Sequence, residues 1–247
     1  MIDSLALSAA RLAVMSEQSE GNGGVGTLSE KLLHKIIKYC IEPDPSMHEI
    51  PLLGSIADVK NGEGIFEVQT RSFDRLVPKL SKFLPEHRVT VIYPIVAEKT
   101  IRYVDKTDGS VGEPKRSPKH PTVHDAAGEI RKISRFIGNG NLAVVLLFLA
   151  AEEYRLLDGW DETRKKGATK LERFPTEVIS EICLKNVADY KILLPDSLPE
   201  EFSAAEYGRL IKRKGRAGYH PLRLLLDLGI LNRERRGRAY IYKRTTL

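Results

Sequence analysis

Cysteine is scarce in this chain. Cys40 and Cys183 are the two present in 247 residues, and they form no CxxC pair. Neither a zinc site nor a disulfide framework follows from them, and a reducing, cytoplasmic setting is the expectation. Long hydrophobic runs are missing too, so no segment reads as a membrane span. The nearest approach to a signal core, "LALSAARLAV", has no basic segment before it and holds Arg11 inside, which argues against secretion. No repeat of any period is present. What remains is a globular composition, 42% hydrophobic, with length enough for one large domain or two smaller ones.

Charge is present, and unevenly. The formal net charge is +6, yet from Ser203 onward twelve Lys and Arg face only Glu206, Asp227 and Glu234. That segment therefore carries +9 and the rest of the chain −3. A basic terminal segment of this kind suits a polyanion, most often nucleic acid.

Residues 1–26 end in "SEQSEGNGGVG" and read as a flexible lead-in without hydrophobic period. "TLSEKLLHKIIKYC" places Leu28, Leu32, Leu33, Ile36, Ile37 and Cys40 at helical spacing. "HEIPLLG" is a short extended piece, with Pro51 marking a sheet edge or a strand break. Two further strands follow, one with Asp58 and one with Glu67. "SFDRLVPKLSKFL" predicts a helix that Pro78 kinks, and "HRVTVIYPIV" a buried strand. The order is helix, three strands, helix, strand. "KTIRYVDKTDGSVG" predicts another hairpin, turning at Asp108-Gly109, followed by a helix over Asp125 to Ile137 and a core strand in "LAVVLLFLAAEEY". The polar stretch "DGWDETRKKGATKLER" predicts a linker at 158–173, separating one domain at 27–157 from a second at 174–247.

"IADVKNGEGIFEVQT", residues 56 to 70, carries the chemistry. Asn61-Gly62 is a hairpin signal, yet Asp58, Glu67 and Gln69 interrupt strands where Val or Ile would pack better. Side chains alternate along a strand, so Glu67 and Gln69 share a face. If the loop is Asn61 to Gly64, Asp58 lies opposite Glu67. If it is only Asn61-Gly62, the two are diagonal. Either register puts both carboxylates on one face, roughly 5–8 Å apart. Like charges so placed repel, and a divalent cation such as Mg²⁺ would relieve them. Gln69 adds an amide able to orient a water.

Asp on one strand and Glu-x-Gln on the next, within helix–three strands–helix–strand, resembles the PD-(D/E)XK or restriction-endonuclease-like nucleases. The resemblance covers residues 27 to about 155. It implies an α/β domain with a central mixed sheet and flanking helices (αβββαβ) that cuts phosphodiesters with Mg²⁺ or Mn²⁺. Asp58 and Glu67 would hold the metal, and Gln69 would take the third catalytic position, where the family usually has Lys. A helix-borne Glu facing the site would be Glu30, and Glu49, just before the hairpin, would be a further metal-facing carboxylate. Since Gln69 is neutral, the metal or a migrated base (Lys60, Lys79 or Arg71) would supply positive charge.

"FSAAEYGRLIKRKGRAGYHPLRLLLDLGILNRERRGRAYIYKR" opens on an S-x-x-E capping box, Ser203 to Glu206. A helix to about Arg213 follows, then a connection with Gly215 and Gly218, then a second helix over Tyr219 to Leu228 with Leu222, Leu225 and Leu226 inward. Two strands about Arg236-Gly237 end the chain. This pattern resembles a winged helix-turn-helix, an α+β fold whose first helix would be "PTEVISEICLKNV". The resemblance implies DNA contacts by Arg216, Tyr219, His220 and Arg223 on the second helix and by Arg233, Arg235, Arg236 and Arg238 on the wing.

The sequence thus reads as a two-domain, metal-dependent DNA endonuclease delivered by its basic terminus. A homodimer would supply one site per strand. The alternative is a non-catalytic DNA-binding regulator with a degenerate nuclease-like domain, and an RNA substrate is a third reading.

Overall fold

The chain is described by a computed structural model over residues 2–20, 28–160 and 166–245. It is an α/β protein with a large mixed sheet and flanking helices. In chain order come α1 (Ser4–Glu20), α2 (Leu28–Ile41), β1 (His48–Leu52), β2 (Ser55–Asn61), β3 (Gly64–Val68), α3 (Val77–Phe83), β4 (Val89–Asp105) and β5 (Lys115–Arg116). Then follow α4 (Val123–Ile130), β6 (Leu142–Trp160), β7 (Lys166–Leu184), β8 (Glu201–Ser203), α5 (Ala204–Leu210), α6 (Gly215–Asp227), β9 (Leu231–Arg236) and β10 (Ala239–Arg244). The expected order of helix, three strands, helix and strand is present from α2 to β4.

By its contacts the chain forms two units that interleave along the sequence. The first comprises Met1–Thr70, Ile92–His120 and Leu147–Ile182, and the second Arg71–Val91, Pro121–Leu146 and Cys183–Leu247. The chain passes from one to the other within β4 and again within β6. The sequence had instead suggested consecutive domains divided at 158–173. In that span residues 158–160 close β6 and residues 166–173 open β7, while 161–165 lie outside the described residues.

The large sheet has the order β1-β2-β3-β4-β6-β7, with β5 on β4. Its edge strands are β1, which carries Pro51, and β7, which carries Pro175; an edge tolerates the lost N–H donor. The β1–β2 hairpin turns at Leu53-Gly54, both at positive φ (51° and 66°), the conformation that a two-residue hairpin needs. On one side of the first unit, α1 lays Leu7, Ala10 and Val14 against Leu32, Ile36 and Tyr39 of α2, with Phe174 and Val178 of β7 packed on the same cluster. The expected flexible lead-in over 1–26 is corrected by this over Ser4–Glu20: Leu7, Ala10 and Val14 recur at helical spacing, and burying them orders that stretch as a helix, while 21–26 lie outside the described residues. The helix expected in "PTEVISEICLKNV" is corrected as well, because those residues run through the end of β7, paired to β6. Pro78 does not kink a helix; it sits in the first turn of α3, where its missing N–H costs nothing.

A charged network lies on the long strands. Glu153 of β6 is fully buried and ion-paired to Arg155, to Arg173 of β7 and to Lys99 of β4, at 2.5, 2.6 and 3.4 Å. Burial raises its pKa, but hydrogen bonds from Arg173 and Arg155 outweigh that and hold the carboxyl at about 2.

In the second unit β8, β10 and β9 form a three-stranded sheet in that order. The Ser203–Glu206 capping box opens α5 as expected. Gly208 of α5 and Gly218 of α6 flank the carbonyl of Arg213 in the turn between them. A Cβ would stand 2.8 Å from that oxygen at Gly208 and 3.0 Å at Gly218. Leu222, Leu224 and Leu225 are the buried leucines of α6, with Leu226 only half-buried.

Two outcomes follow. Gly208→Ala drives a methyl into backbone that has no rotamer to yield, and should cost about 1–3 kcal/mol in urea unfolding, as overpacking does. Glu153 titrates from an ordinary carboxyl value of 4.5 in the unfolded chain to about 2 when folded. Its contribution to stability is therefore full above that unfolded value and is lost as the pH falls toward 2. Glu153→Gln should remove that acid-sensitive part of the Tm-against-pH curve.

Candidate functional site

The β2–β3 register pairs Val59 with Phe66, Lys60 with Ile65 and Asn61 with Gly64. Continued by one residue, it sets Asp58 opposite Glu67, the register expected with the longer loop, although Asn61 and Gly64 themselves pair and Gly62-Glu63 make the turn. The Asn61 side chain accepts from the N–H of Glu63, and Gly64 takes φ 139°. Both carboxylates are buried, Asp58 at 9% exposure and Glu67 at 1%. Gln69 follows the end of β3, half-buried, with its N–H bonded to the carbonyl of Ile92 at 2.9 Å.

Helix α2 reaches this hairpin with a polar edge. His34 Nε2 lies 3.1 Å from Asp58 Oδ2, which also accepts the N–H of Val68 at 2.9 Å. One turn later, Lys38, itself buried, is ion-paired to Glu49. The carboxylate of Glu49 is thus engaged by a lysine. The β1–β2 register places it beside Asp58, and its backbone is left-handed (φ 53°), a conformation uncommon outside glycine. Glu30 lies in the first turn of α2, four residues before His34, and its side chain is outside the described residues. His34 and Lys38 are not among the site residues expected from sequence, where Glu30 alone represents the polar side of α2; the i, i+4 spacing of Glu30, His34 and Lys38 is the available signal.

Among the described residues no group of three or more His, Cys, Asp and Glu side chains is placed to hold a metal ion. The donor set still fits Mg²⁺, which takes one or two carboxylates and keeps several waters. Asp58 and Glu67 are hard oxygen donors on neighbouring strands of one sheet.

The basic terminus divides by face. On α6, Arg216, Tyr219 and Arg223 recur at i, i+3 and i+7 and are exposed. His220 is turned elsewhere: a Cβ on Gly128 of α4 would stand 3.2 Å from its ring, so the two helices meet there. Its pKa is lowered by burial and by Arg216, Arg223 and Arg131. On the wing, the alternation of β9 gives Arg233 and Arg235 one face and Arg236 the other. Arg233 lies over the Tyr240 ring at 4.6 Å. Arg236 is ion-paired to Glu201 at 2.6 Å and Glu234 at 3.1 Å, and Lys243 also meets both acids. These contacts hold Glu201 at about 2. Arg238 is exposed at the turn.

A model of the family described as "Domain of unknown function (DUF8091)" matches residues 31–185, a span that contains the hairpin and stops one residue after β7. A relative in Treponema pallidum (strain Nichols), titled "Uncharacterized protein", is 30% identical over 222 residues, covering 89% of this chain and 87% of the relative. No solved structure matches. No helix among the described residues is long and apolar enough to cross a membrane.

Asp58→Ala should cost about 1–3 kcal/mol in denaturant unfolding, because it strands the buried N–H of Val68. Asp58→Asn keeps an acceptor there and should fold with little loss, which makes it the cleaner probe of the site.

Proposed function

The chain belongs to the family described as "Domain of unknown function (DUF8091)", and for it we propose a metal-dependent nuclease that hydrolyses DNA phosphodiester bonds, guided by the basic C-terminal elements. The observation that carries this reading is the pair Asp58 and Glu67, almost wholly withdrawn from water on β2 and β3 and brought opposite each other when the strand register is continued by one residue. Two carboxylates so placed repel in a medium that screens them poorly. A divalent cation held between them would relieve that repulsion.

Asp58 and Glu67 would hold Mg²⁺ or Mn²⁺, which when bound lowers the pKa of a water and neutralises charge on a phosphate. Val68 N–H and His34 fix the Asp58 carboxylate, so its orientation is set before substrate arrives. Gln69, anchored through its backbone to β4, would orient the attacking water through its amide. The water oxygen would bond to phosphorus as one ester P–O bond breaks, the water giving a proton to solvent and the leaving oxygen taking one from it. Glu30 and Glu49 remain supporting residues. The exposed stripe Arg216, Tyr219 and Arg223, backed by the wing arginines, would hold the DNA. The succession β8, α5, α6, β9, β10, with β10 between the other two strands, supports the winged-helix reading of that region.

The second reading is a non-catalytic DNA-binding regulator. It is favoured by the want of a three-ligand cluster among the described residues and by His34 resting on Asp58.

Supercoiled plasmid incubated with Mg²⁺ and then Mn²⁺ separates the two. The nuclease reading expects metal-dependent nicking that Glu67→Ala and Asp58→Asn abolish. Intact plasmid with wild type and variants alike, shifted equally in a gel, would give the regulator the lead once single-stranded, branched and RNA substrates had also failed.

A further inference from the structure

The charged network of the first unit has no part in the hairpin site or the basic terminus. One carboxylate, Glu153, receives three cations: Arg155 and Arg173 each donate through Nε and Nη2, and Lys99 stands at 3.4 Å. A structural ion pair needs one cation per acid. Two further positive charges therefore remain in the network, and Arg173 and Arg155 act on Lys99 to lower its pKa, after burial itself. Glu153 is fully covered, but the side chains of Lys99, Arg155 and Arg173 keep 17%, 25% and 27% of their surface. The acid fixes each guanidinium through Nε and Nη2, which leaves Nη1 of each outside those contacts.

The side of the sheet is fixed by packing. Phe174 lies against the cluster of α1 and α2, and the Tyr154 ring meets Phe174 edge-on at 6.0 Å. Glu153, Arg155 and Arg173 are each one step away along their strands, so they face the opposite side. Strand β5 adds Lys115, paired with Ile101 of β4 and lying 5.6 Å over the Tyr103 ring.

We propose that Lys99, Arg155 and Arg173, organised by Glu153, form a binding site for a phosphate group, and that a nucleic-acid backbone supplies it. The site shares no residue with the carboxylate pair or the α6 stripe; only the source of the phosphate rests on the nucleic-acid reading.

Lys99→Gln is the informative variant, since it leaves both arginine–Glu153 pairs intact; Arg173→Gln is the stronger one. Wild type should melt higher in inorganic phosphate than in chloride at equal ionic strength, and Lys99→Gln should lose at least half of that rise. In duplex DNA binding against salt, the log–log slope should fall by about one for each phosphate contact removed. Arg223→Ala should weaken DNA binding while leaving the phosphate rise unchanged, which separates this site from the terminal stripe. No rise in wild type, or the same rise in Lys99→Gln, overturns the site. A lost phosphate rise with an unchanged DNA slope overturns the nucleic-acid source.

Discussion

The register between β2 and β3 is the constraint on which the candidate site depends. Side chains alternate with a strict period of two, so slipping the pairing by one residue would send Asp58 to the other face from Glu67. The turn prevents this. Asn61 caps the N–H of Glu63, Gly64 adopts a φ that other residues avoid, and the chain returns with Asn61 against Gly64. From that pairing everything nearby is set: Asp58 across from Glu67, Val68 N–H on the Asp58 carboxylate, and Gln69 one step beyond, tied to β4.

Helix α2 then decides what kind of environment the pair has. It buries Leu32, Ile36 and Tyr39 with α1, and its polar edge meets the hairpin through His34 and Lys38. The same helix thus supplies core and site. Coupling of this sort explains why a left-handed Glu49 is tolerated: its carboxylate gains a buried lysine in return.

Much of this was legible in the sequence. The Asn-Gly turn, the polar residues within apolar strands, the Ser203–Glu206 cap and the leucines of α6 all announce themselves through local chemistry. Two elements did not. β7 reads as a helix in "PTEVISEICLKNV" because its apolar residues suit that spacing, yet pairing with β6 outweighs local preference, and Pro175 is permitted because the strand lies at an edge. Helix α1 was hidden by the Gly-rich stretch behind it, though Leu7, Ala10 and Val14 already marked its inner face. The basic terminus was legible as charge but not as geometry. Nothing in the sequence tells that Arg236 is spoken for by Glu201, thirty-five residues earlier, or that His220 leans on Gly128.

The interleaving of the two units has a bearing on how the protein is made. Synthesis delivers Arg71–Val91 and Pro121–Leu146 well before Cys183–Leu247, yet all three belong to the second unit. Ala126, Ala127 and Ile130 of α4 leave the ribosome before their partner α6 exists. They must stay uncommitted, or shielded by a chaperone, until α6 emerges. Folding in step with synthesis, one domain after another, is the usual route for chains of this size. Here it is closed to the second unit until Cys183–Leu247 has been made.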